Sequence, residues 1–454
     1  MTTIDPKSPA KFTAAFRCFR GCAGTHPLTR PVYRCPTCDG LLEVAHDMAA
    51  LATVPADTWK KTFDGRRASN AFPDTSGVWS KREWVAPELA TAHVVSTDEG
   101  RTSLFRATRF GASIDVPNLA IKQCGNSHSG SFKDLGMTVL VSTVRKALAE
   151  GALASPVIAC ASTGDTSASL AAYGALVGLP VVVLLPKGLV STAQLVQPLA
   201  HGATVLALET DFDGCMVVVR ELAKRGLIYL ANSMNPLRIE GQKTVALEIA
   251  EQMGWDVPEW VVIPSGNLGN AAALHAGFRM MKELGVVSRL PRLLVAQAEN
   301  ANPMYRAFKE GKDTVAPVRA DKSLASAIQI GNPVSAPRAM VALRAMEGVV
   351  EQASENELAD AAARADRAGL YACPHTAVAL AATEKQRKAG VIRKDDRVVV
   401  VSTANGLKFT EFKLGYHERT LSGIHARHAN VPVTLPPDVD AVAAAISKVA
   451  SARG

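Results

Sequence analysis

A lysine stands at the start of a predicted helix, where a cation is normally disfavoured. Residues 129–136 read SGSFKDLG and precede the apolar run MTVLVSTVRKALAE, so Ser131 is the expected N-cap and Asp134 the acidic member of a capping box. Lys133 then falls in the first turn, where the helix dipole disfavours an ammonium group by roughly 0.3–1 kcal/mol. The dipole and burial both lower the pKa of such a lysine, and its neutral amine can form a Schiff base with a carbonyl.

Two further segments place hydroxyls and backbone N–H groups where an anion could bind. In VIPSGNLGNAAALHAG, an apolar strand enters a loop in which Gly266 and Gly269 allow close approach of a ligand, and the helix that follows favours a phosphate. A tight turn without a ligand is the alternative. In IACASTGDTSASLAAYG, another helix start suits a carboxylate or phosphate, or is simply well capped; the residues concerned are Ser162, Thr163, Gly164, Asp165 and Thr166.

A third segment ends a buried-looking strand with hydroxyls. VVVVSTANGLKF places Ser402 and Thr403 there, where they either cap the strand end or hydrogen-bond a heterocyclic nitrogen in the cleft. A Schiff-base lysine, a phosphate-binding loop and a hydroxyl for a ring nitrogen together are the parts of a pyridoxal 5'-phosphate site.

Four of the eight cysteines cluster near the N-terminus. The segment FRCFRGCAGTHPLTRPVYRCPTCDGLLEV has the spacing C-x3-C-x12-C-x2-C, which resembles a zinc ribbon with Cys18, Cys22, Cys35 and Cys38 as ligands. The first knuckle is one residue longer than usual, so a ribbon held by its strands without metal is an equal alternative. Either way the segment is expected to be structural, because four thiolates leave no open coordination site.

Composition restricts the class of protein. The chain has 454 residues, of which 48% are hydrophobic and 20% charged, which is ordinary for a globular protein of two or three domains. No run approaches the roughly 18 apolar residues of a membrane span, and the start lacks the core of a secretory signal, so a cytoplasmic protein is expected. The net charge of +8 is scattered and only 5% of residues are aromatic, which argues against nucleic-acid binding and fits an enzyme with phosphorylated substrates.

From about residue 119 the pattern alternates between short apolar strands and Ala-rich helices. The predicted strands are NLAIKQ, PVIACAS, PVVVLLP, ATVLALE, LIYLAN, EWVVIPS, RLLVAQA and DRVVVVST. Continuously apolar strands that alternate with helices predict an α/β fold with parallel sheets covered on both faces, and ligands in such folds bind at the carboxyl ends of the strands.

Several motifs together resemble those of a known family. HSGSFKDLGMTVLV, ASTGDTSASL, NSMNPLRIEGQKT, GNLGN and STANGLKF resemble threonine synthases of the branch that includes the plant enzymes, in the same order along the chain. The resemblance implies a fold type II pyridoxal-phosphate enzyme, similar to the tryptophan synthase β subunit, with two parallel-sheet α/β domains. It also implies a homodimer that converts O-phospho-L-homoserine and water into L-threonine and phosphate.

The resemblance also implies roles for individual residues. Lys133 is the catalytic residue and holds the cofactor, Thr403 meets the pyridine nitrogen, and Asp165 lies beside the ring hydroxyl. The cofactor phosphate is expected on the loop of Gly266, Asn267, Leu268, Gly269 and Asn270. The substrate phosphate is expected on Ser162, Thr163, Thr166, Ser233, Arg238 and Asn270.

Two of these charged residues raise physical questions. An ionised Asp165 beside a phenolate would be a like-charge pair, so we expect one of the two to keep its proton. The guanidinium of Arg238 matches phosphate oxygens, although local sequence alone favours an ion pair with Glu240 or Glu248.

The expected organisation has four parts. Residues 1–50 form a ribbon-like segment, residues 119–231 a small α/β domain that carries Lys133, residues 51–118 and 232–430 a large cofactor-binding domain, and residues 431–454 a C-terminal helix. Cysteate synthase, which joins O-phosphoserine with sulfite, would keep every cofactor motif. A dehydratase would not need the substrate-phosphate segment, and the intact SGSFKD lysine argues against a non-catalytic ribbon-containing binding protein.

Overall fold

The residues that the structure describes form three β-sheets, with helices packed on the two larger ones. The computed structural model describes residues 12–162, 164–188 and 192–451. Its strands are β1 (Ala14–Cys18), β2 (Thr25–Pro27), β3 (Leu42–His46), β4 (Leu104–Arg106), β5 (Leu119–Lys122), β6 (Ile158–Ala161), β7 (Val181–Pro186), β8 (Thr204–Leu208), β9 (Tyr229–Leu230), β10 (Trp260–Pro264), β11 (Arg292–Ala298), β12 (Val349–Ala353) and β13 (Val398–Val401).

The helices lie between these strands and at the C-terminal end of the described chain. They are α1 (Met48–Ala52), α2 (Ala56–Arg67), α3 (Thr108–Ser113), α4 (Lys133–Ala149), α5 (Asp165–Leu176), α6 (Thr192–Ala200), α7 (Phe212–Lys224), α8 (Leu237–Gln242), α9 (Thr244–Gln252), α10 (Gly269–Glu283), α11 (Pro303–Lys309), α12 (Ala336–Ala345), α13 (Glu355–Arg367), α14 (Pro374–Lys388), α15 (Thr410–His417) and α16 (Val439–Ser451). Within the described ranges, no helix is both long enough and apolar enough to cross a bilayer.

The largest sheet has six strands in the order β12-β11-β10-β13-β5-β4. All neighbours are parallel except β4, which pairs antiparallel with β5 at one edge. Successive residues of β10 pack on opposite faces: Val261 and Ile263 join the core that contains α10, whereas Trp260 and Val262 join the core that contains α13 and α14. This burial on both faces explains why the strand is continuously apolar.

The second sheet has four parallel strands in the order β8-β7-β6-β9. Helix α4 packs against α5 of this unit and against α8, so it lies where the two sheet units meet. A smaller antiparallel sheet, β2-β1-β3, forms the N-terminal ribbon. The predicted α/β class with two mainly parallel sheets is therefore confirmed.

All eight strands predicted from the sequence are confirmed, but one predicted boundary is wrong. β5 was expected to open the small domain at residue 119, yet it pairs with β13 in the six-stranded sheet. An apolar strand carries no local sign of which sheet it will join, because that depends on partners far along the chain. Strand β12 was missed, since Glu351 and Gln352 interrupt its apolar pattern; Glu351 is buried and accepts a hydrogen bond from Gln386 of α14 at 2.6 Å.

Candidate active site

Two of the three strand-end segments singled out in the sequence lie at one edge of the large sheet, and the third follows β6 of the four-stranded sheet. β10 and β13 are parallel neighbours, so the loop of residues 266–270 and the hydroxyls of Ser402 and Thr403 follow adjacent carboxyl ends. This is the edge at which open α/β sheets bind ligands.

The lysine loop is attached to the end of β13 by its backbone. The N–H of Phe132 donates to the carbonyl of Thr403 at 2.9 Å, and the N–H of Asn405 donates to the carbonyl of Gly130 at 2.9 Å. Ser131 and Ala404 form an isolated antiparallel bridge between the same two segments. Lys133 and Thr403 therefore lie on two directly hydrogen-bonded segments, although they are distant in sequence.

The predicted cap of the lysine helix is wrong in detail. Helix α4 begins at Lys133 and its N-cap position is Phe132, while Ser131 lies one residue earlier and its hydroxyl accepts from the Lys133 N–H at 3.3 Å. Asp134 does not reach back to the cap. Its buried carboxylate accepts from the Ser127 and Ser129 hydroxyls, the Ser129 N–H and the Ser169 hydroxyl at 2.5–2.8 Å. These donors outcompete the capping box, and Asp134 ties the lysine loop to α5.

Two glycines bring the lysine helix against the helix that carries Arg238. A Cβ on Gly241 of α8 would collide with the Leu135 carbonyl oxygen, and one on Gly136 of α4 would lie 2.8 Å from the Arg238 carbonyl oxygen. Only glycine permits this approach of two backbones. The backbone of Arg238 therefore packs against the first turn of α4, and its charge is close enough to affect Lys133.

The environment of Lys133 favours the neutral amine. Burial and, to a smaller extent, the nearby Arg238 guanidinium lower the pKa of Lys133 to about 7, while Asp165 opposes the change. The Lys133 Nζ lies 4.1 Å from the centre of the Phe132 ring, a contact that favours the ammonium form and so acts against burial. The lowered pKa makes the neutral amine accessible near neutral pH, as a nucleophilic lysine requires.

Arg238 is a buried cation without a carboxylate partner in the described part of the chain. Its guanidinium donates to the Ala231 carbonyl at 3.2 Å and to the Thr166 hydroxyl at 3.1 Å, and its buried Nε has no partner. Burial lowers the pKa of Arg238 to about 10. The alternative ion pairs are excluded, because Glu240 binds Lys243 and Glu248 binds Lys122.

Asp165, the first residue of α5, has its own counter-ion. The Nζ of Lys408 lies 2.9 Å from its carboxylate and also donates to the Ser129 carbonyl at 3.0 Å. Burial alone would raise the pKa of Asp165, but Lys408, with His375 and Lys133, outweighs burial and lowers it. Lys408, which the like-charge expectation for Asp165 did not include, favours the ionised carboxylate.

The loop after β10 presents unused backbone donors. Among the described residues, none accepts a hydrogen bond from the N–H groups of residues 266–270. Leu268 has a left-handed φ of 64° directly before α10, and a left-handed residue next to a right-handed one turns successive N–H groups into a concavity that binds anions. These residues fit the phosphate of the predicted cofactor, since a strained, donor-rich loop at a helix start is a phosphate site.

Individual residues of this loop differ from the expectation. A Cβ on Gly266 would lie 2.7 Å from the Cα of Ile328. Glycine is therefore required at this position by the packing of the segment around Ile328, and not only by the approach of a ligand. The Asn270 amide is engaged within the loop, donating to the Pro264 carbonyl and accepting from the Ser265 hydroxyl, each at 2.7 Å. Asn270 therefore offers a phosphate its backbone N–H group.

The two hydroxyls after β13 have different surroundings. Ser402 accepts from the Thr376 hydroxyl at 3.1 Å, whereas the buried Thr403 hydroxyl has no hydrogen-bond partner among the described residues. The Thr403 hydroxyl thus remains available for a ring nitrogen, in agreement with its expected role.

The remaining predicted residues lie on the segments that border Arg238. Ser162 follows β6 and accepts from the Gly164 N–H at 3.3 Å, Thr166 contacts Arg238 directly, and Ser233 lies between β9 and α8. Thr163 lies outside the described residues. Sequence reasoning missed Lys408, although it lies in STANGLKF, and the signal available was a cation five residues after the strand-end hydroxyl.

The chain matches a family with this chemistry. Residues 95–404 match the family described as pyridoxal-phosphate dependent enzyme, the class that a neutral helix-start lysine and a free N–H cradle at a sheet edge define. The chain is 52% identical over 413 residues to threonine synthase 2, chloroplastic, of Arabidopsis thaliana, covering 90% of this chain and 79% of that protein.

More distant relatives carry the same name. The threonine synthase of Methanocaldococcus jannaschii is 36% identical over 393 residues, covering 86% of this chain and 92% of its own length. The chain belongs to the threonine synthase family of the pyridoxal-phosphate dependent enzymes. The threonine synthase structure of Escherichia coli covers 96% of this chain with a TM-score of 0.65 at 20% identity, which supports the fold alone.

Proposed function

We propose that this protein catalyses the threonine synthase reaction, in which O-phospho-L-homoserine and water give L-threonine and phosphate. The observation that carries the proposal is Arg238, a buried guanidinium beside Lys133 with a free Nε and no carboxylate partner among the described residues. A buried unpaired cation is costly, and a substrate phosphate provides the bidentate anion that a guanidinium binds best.

Lys133 supplies proton transfer at the reacting carbons. Its pKa of about 7 lets Nζ accept a proton from Cα of the substrate and return one at neutral pH, where general acid–base catalysis is most efficient. The cofactor, when bound, supplies the electron sink on which ionisation of the Cα–H bond depends. Arg238 and Thr166, which are hydrogen-bonded to each other, would hold the phosphate that leaves from Cγ.

The side chains and backbone N–H groups around the site would set the position of the cofactor and the protonation of its ring. The N–H groups of residues 266–270 would bind its phosphate, and the Thr403 hydroxyl would meet its ring nitrogen. A hydroxyl, unlike a carboxylate, does not hold that nitrogen protonated. Asp165, kept ionised by Lys408, would lie beside the ring hydroxyl and accept a hydrogen bond from it.

A pair of assays tests the substrate directly. Purified holoenzyme is incubated with O-phosphohomoserine in water and, separately, with O-phosphoserine and sulfite, and phosphate release and the amino-acid product are measured. We expect threonine and phosphate from the first pair and neither cysteate nor phosphate from the second. Cysteate formation at a comparable or higher rate would replace the proposal with cysteate synthase.

We also propose that the protein is a homodimer, as the family resemblance implies, and that it is cytoplasmic, as expected from its composition. Light scattering of the holoenzyme should give about twice the chain mass of 47.9 kDa. A mass equal to one chain would contradict the homodimer, and fractionation of source cells would test the compartment.

A further inference from the structure

The four N-terminal cysteines converge on one point. The sulfur atoms of Cys18, Cys22, Cys35 and Cys38 all lie within 4.8 Å of one another, and those of Cys18 and Cys38 are 3.6 Å apart. Four thiolates around a tetrahedral zinc ion, with Zn–S bonds of about 2.3 Å, place their sulfurs about 3.8 Å apart. All four cysteines are free thiols, so no disulfide accounts for the cluster.

The ribbon fold brings these residues together despite the long first knuckle. Cys18 ends β1, and the extra residue falls in a turn where Gly21 has a left-handed φ of 83° and its N–H donates to the Cys18 carbonyl at 3.0 Å. The second knuckle closes through hydrogen bonds between Cys35 and Gly40 and between Asp39 and Cys35, each 2.9 Å. The irregular spacing is therefore compatible with a four-cysteine site.

The ribbon contacts the segment that carries Arg238. The Tyr33 hydroxyl, between the two knuckles, accepts a hydrogen bond from the N–H of Leu230 in β9 at 2.9 Å, and its ring packs edge-on against Tyr229 at 5.5 Å. Leu230 immediately precedes Ala231, whose carbonyl binds the Arg238 guanidinium. His46 of β3 lies 2.7 Å from the Glu240 carboxylate, on the same helix as Arg238.

The ribbon also contacts α12, the helix beside the phosphate loop. Arg338 of α12 donates to the Leu42 carbonyl of β3 and lies over the Phe19 ring at 5.9 Å. Its guanidinium also approaches the Ser335 hydroxyl at 3.4 Å, and the Ser335 N–H donates to the Asn267 carbonyl in the loop at 3.1 Å. The ribbon thus connects both predicted phosphate-binding elements.

We propose that Cys18, Cys22, Cys35 and Cys38 bind one structural zinc ion, and that the zinc-held ribbon positions the Arg238 segment for the phosphate of the substrate. Four sulfur ligands close the coordination shell, so the ion has no catalytic position. The metal site rests on the cysteine geometry alone, whereas its effect on substrate binding rests on the proposed function.

Metal content tests the site independently of turnover. Protein purified without chelator should contain about one zinc per chain by elemental analysis, Cys22→Ser and Cys38→Ser should each lose it, and the buried Cys215→Ser, outside the cluster, should keep it. A strong chelator should lower the Tm of the wild type, and added Zn²⁺ should restore it. Zinc well below one per chain, iron in its place, or a disulfide among the four cysteines by mass spectrometry would overturn the site.

Tyr33→Phe tests the positioning role without touching a ligand. It removes the acceptor for the Leu230 N–H but keeps the ring, so zinc content and the cofactor absorbance should be unchanged. The KM for O-phosphohomoserine and the Kd for inorganic phosphate should both rise several-fold while kcat changes little. Tyr305→Phe, a partly buried tyrosine of α11, is the control. Unchanged phosphate affinity in Tyr33→Phe would refute the positioning role, and the inorganic-phosphate measurement decides this even if the protein has another substrate.

Discussion

Two buried cations five residues apart, Arg238 and Lys243, have opposite surroundings. Both are at most 3% exposed. Lys243 forms a closed cluster with the Glu240 carboxylate, which also binds His46 at 2.7 Å. The Arg238 guanidinium instead donates hydrogen bonds to one carbonyl and one hydroxyl, and its Nε has no partner. One charge is neutralised by the fold, and the other is left for a ligand.

The pKa shifts around Lys243 and around Arg238 reflect the presence of a carboxylate partner beside the first and its absence beside the second. Burial alone would raise the pKa of Glu240, but Lys243 and His46 outweigh burial and lower it, so this carboxylate is held ionised; burial lowers the pKa of Lys243 as well, and Glu240 opposes that change. Burial lowers the pKa of Arg238 to about 10 and that of the nearby Lys133 to about 7, and neither belongs to an ion pair in the described ranges. A buried cation that the fold leaves unpaired indicates binding or catalysis, whereas a paired one indicates structure.

Loss of Lys133 should have the largest effect on function. Lys133→Ala removes both the attachment point of the cofactor and the proton carrier, so we expect turnover to fall by at least about 10³-fold and the visible cofactor absorbance to disappear. Absorbance spectra and phosphate release measure this. Lys146→Ala, on the same helix but near its other end, is the control, and retained turnover in Lys133→Ala would refute the assignment.

Arg238→Met should separate function from stability. Without the guanidinium, kcat/KM for the phosphorylated substrate should fall roughly 100-fold, or about 2.7 kcal/mol, and inorganic phosphate should cease to inhibit. Because the variant removes an unpaired buried charge, its free energy of unfolding should be unchanged or higher. Urea denaturation and inhibition kinetics test the two halves. A large loss of stability would show that Arg238 is structural after all.

Lys243→Met should give the reverse result. It leaves Glu240 buried without its ammonium partner, which is expected to cost about 3–5 kcal/mol of unfolding free energy. The KM for substrate in the folded enzyme should change little. The double variant Lys243→Met/Glu240→Leu should recover much of the loss, since both charges are then absent. The urea midpoint is the measurement, and equal stability of wild type and single variant would contradict the comparison.

Lys408→Met should shift the pH dependence of the cofactor site. In the wild type the lowered pKa of Asp165 keeps its carboxylate charged, and its stabilising contribution is lost only as pH falls through that lowered value. Removing Lys408 raises the pKa of Asp165, so the acid limb of the bound-cofactor absorbance should move to higher pH. Lys187→Met, which removes an exposed pair with Glu209, should leave the profile unchanged.

The smallest effect expected is a change in the titration of Lys133. Attachment of pyridoxal phosphate to the apoenzyme requires the neutral amine, so its rate should rise with pH and level off above about 7. In Arg238→Met the midpoint should shift upward, because one of the cations that lowers the pKa of Lys133 is gone. Absorbance mixing experiments measure the rate at each pH. A wild-type midpoint near the ordinary lysine value would contradict the burial argument.

Local patterns predicted most of the framework and the chemical parts of the site. Continuous apolar runs identified eight strands correctly, and for central strands such as β10 this pattern reflects burial on both sheet faces, whereas β8 at a sheet edge is apolar but largely exposed. The lysine at a helix start, the Gly/Asn loop and the strand-end hydroxyls were visible for the same reason, since each depends on a few consecutive residues. β12 escaped because buried polar residues such as Glu351 are satisfied by a partner on another helix.

The sequence by itself determined which residues could do chemistry, and the tertiary structure decided which of them are free to do it. Local spacing favoured an ion pair for Arg238 with Glu240 or Glu248, but both acids bind lysines, and Gly136 and Gly241 press Arg238 against the lysine helix instead. Lys408 reaches Asp165 from the far end of the chain in the same way. The charge state of a buried group depends on every neighbour within a few ångströms, and those neighbours are brought together by packing rather than by proximity in sequence.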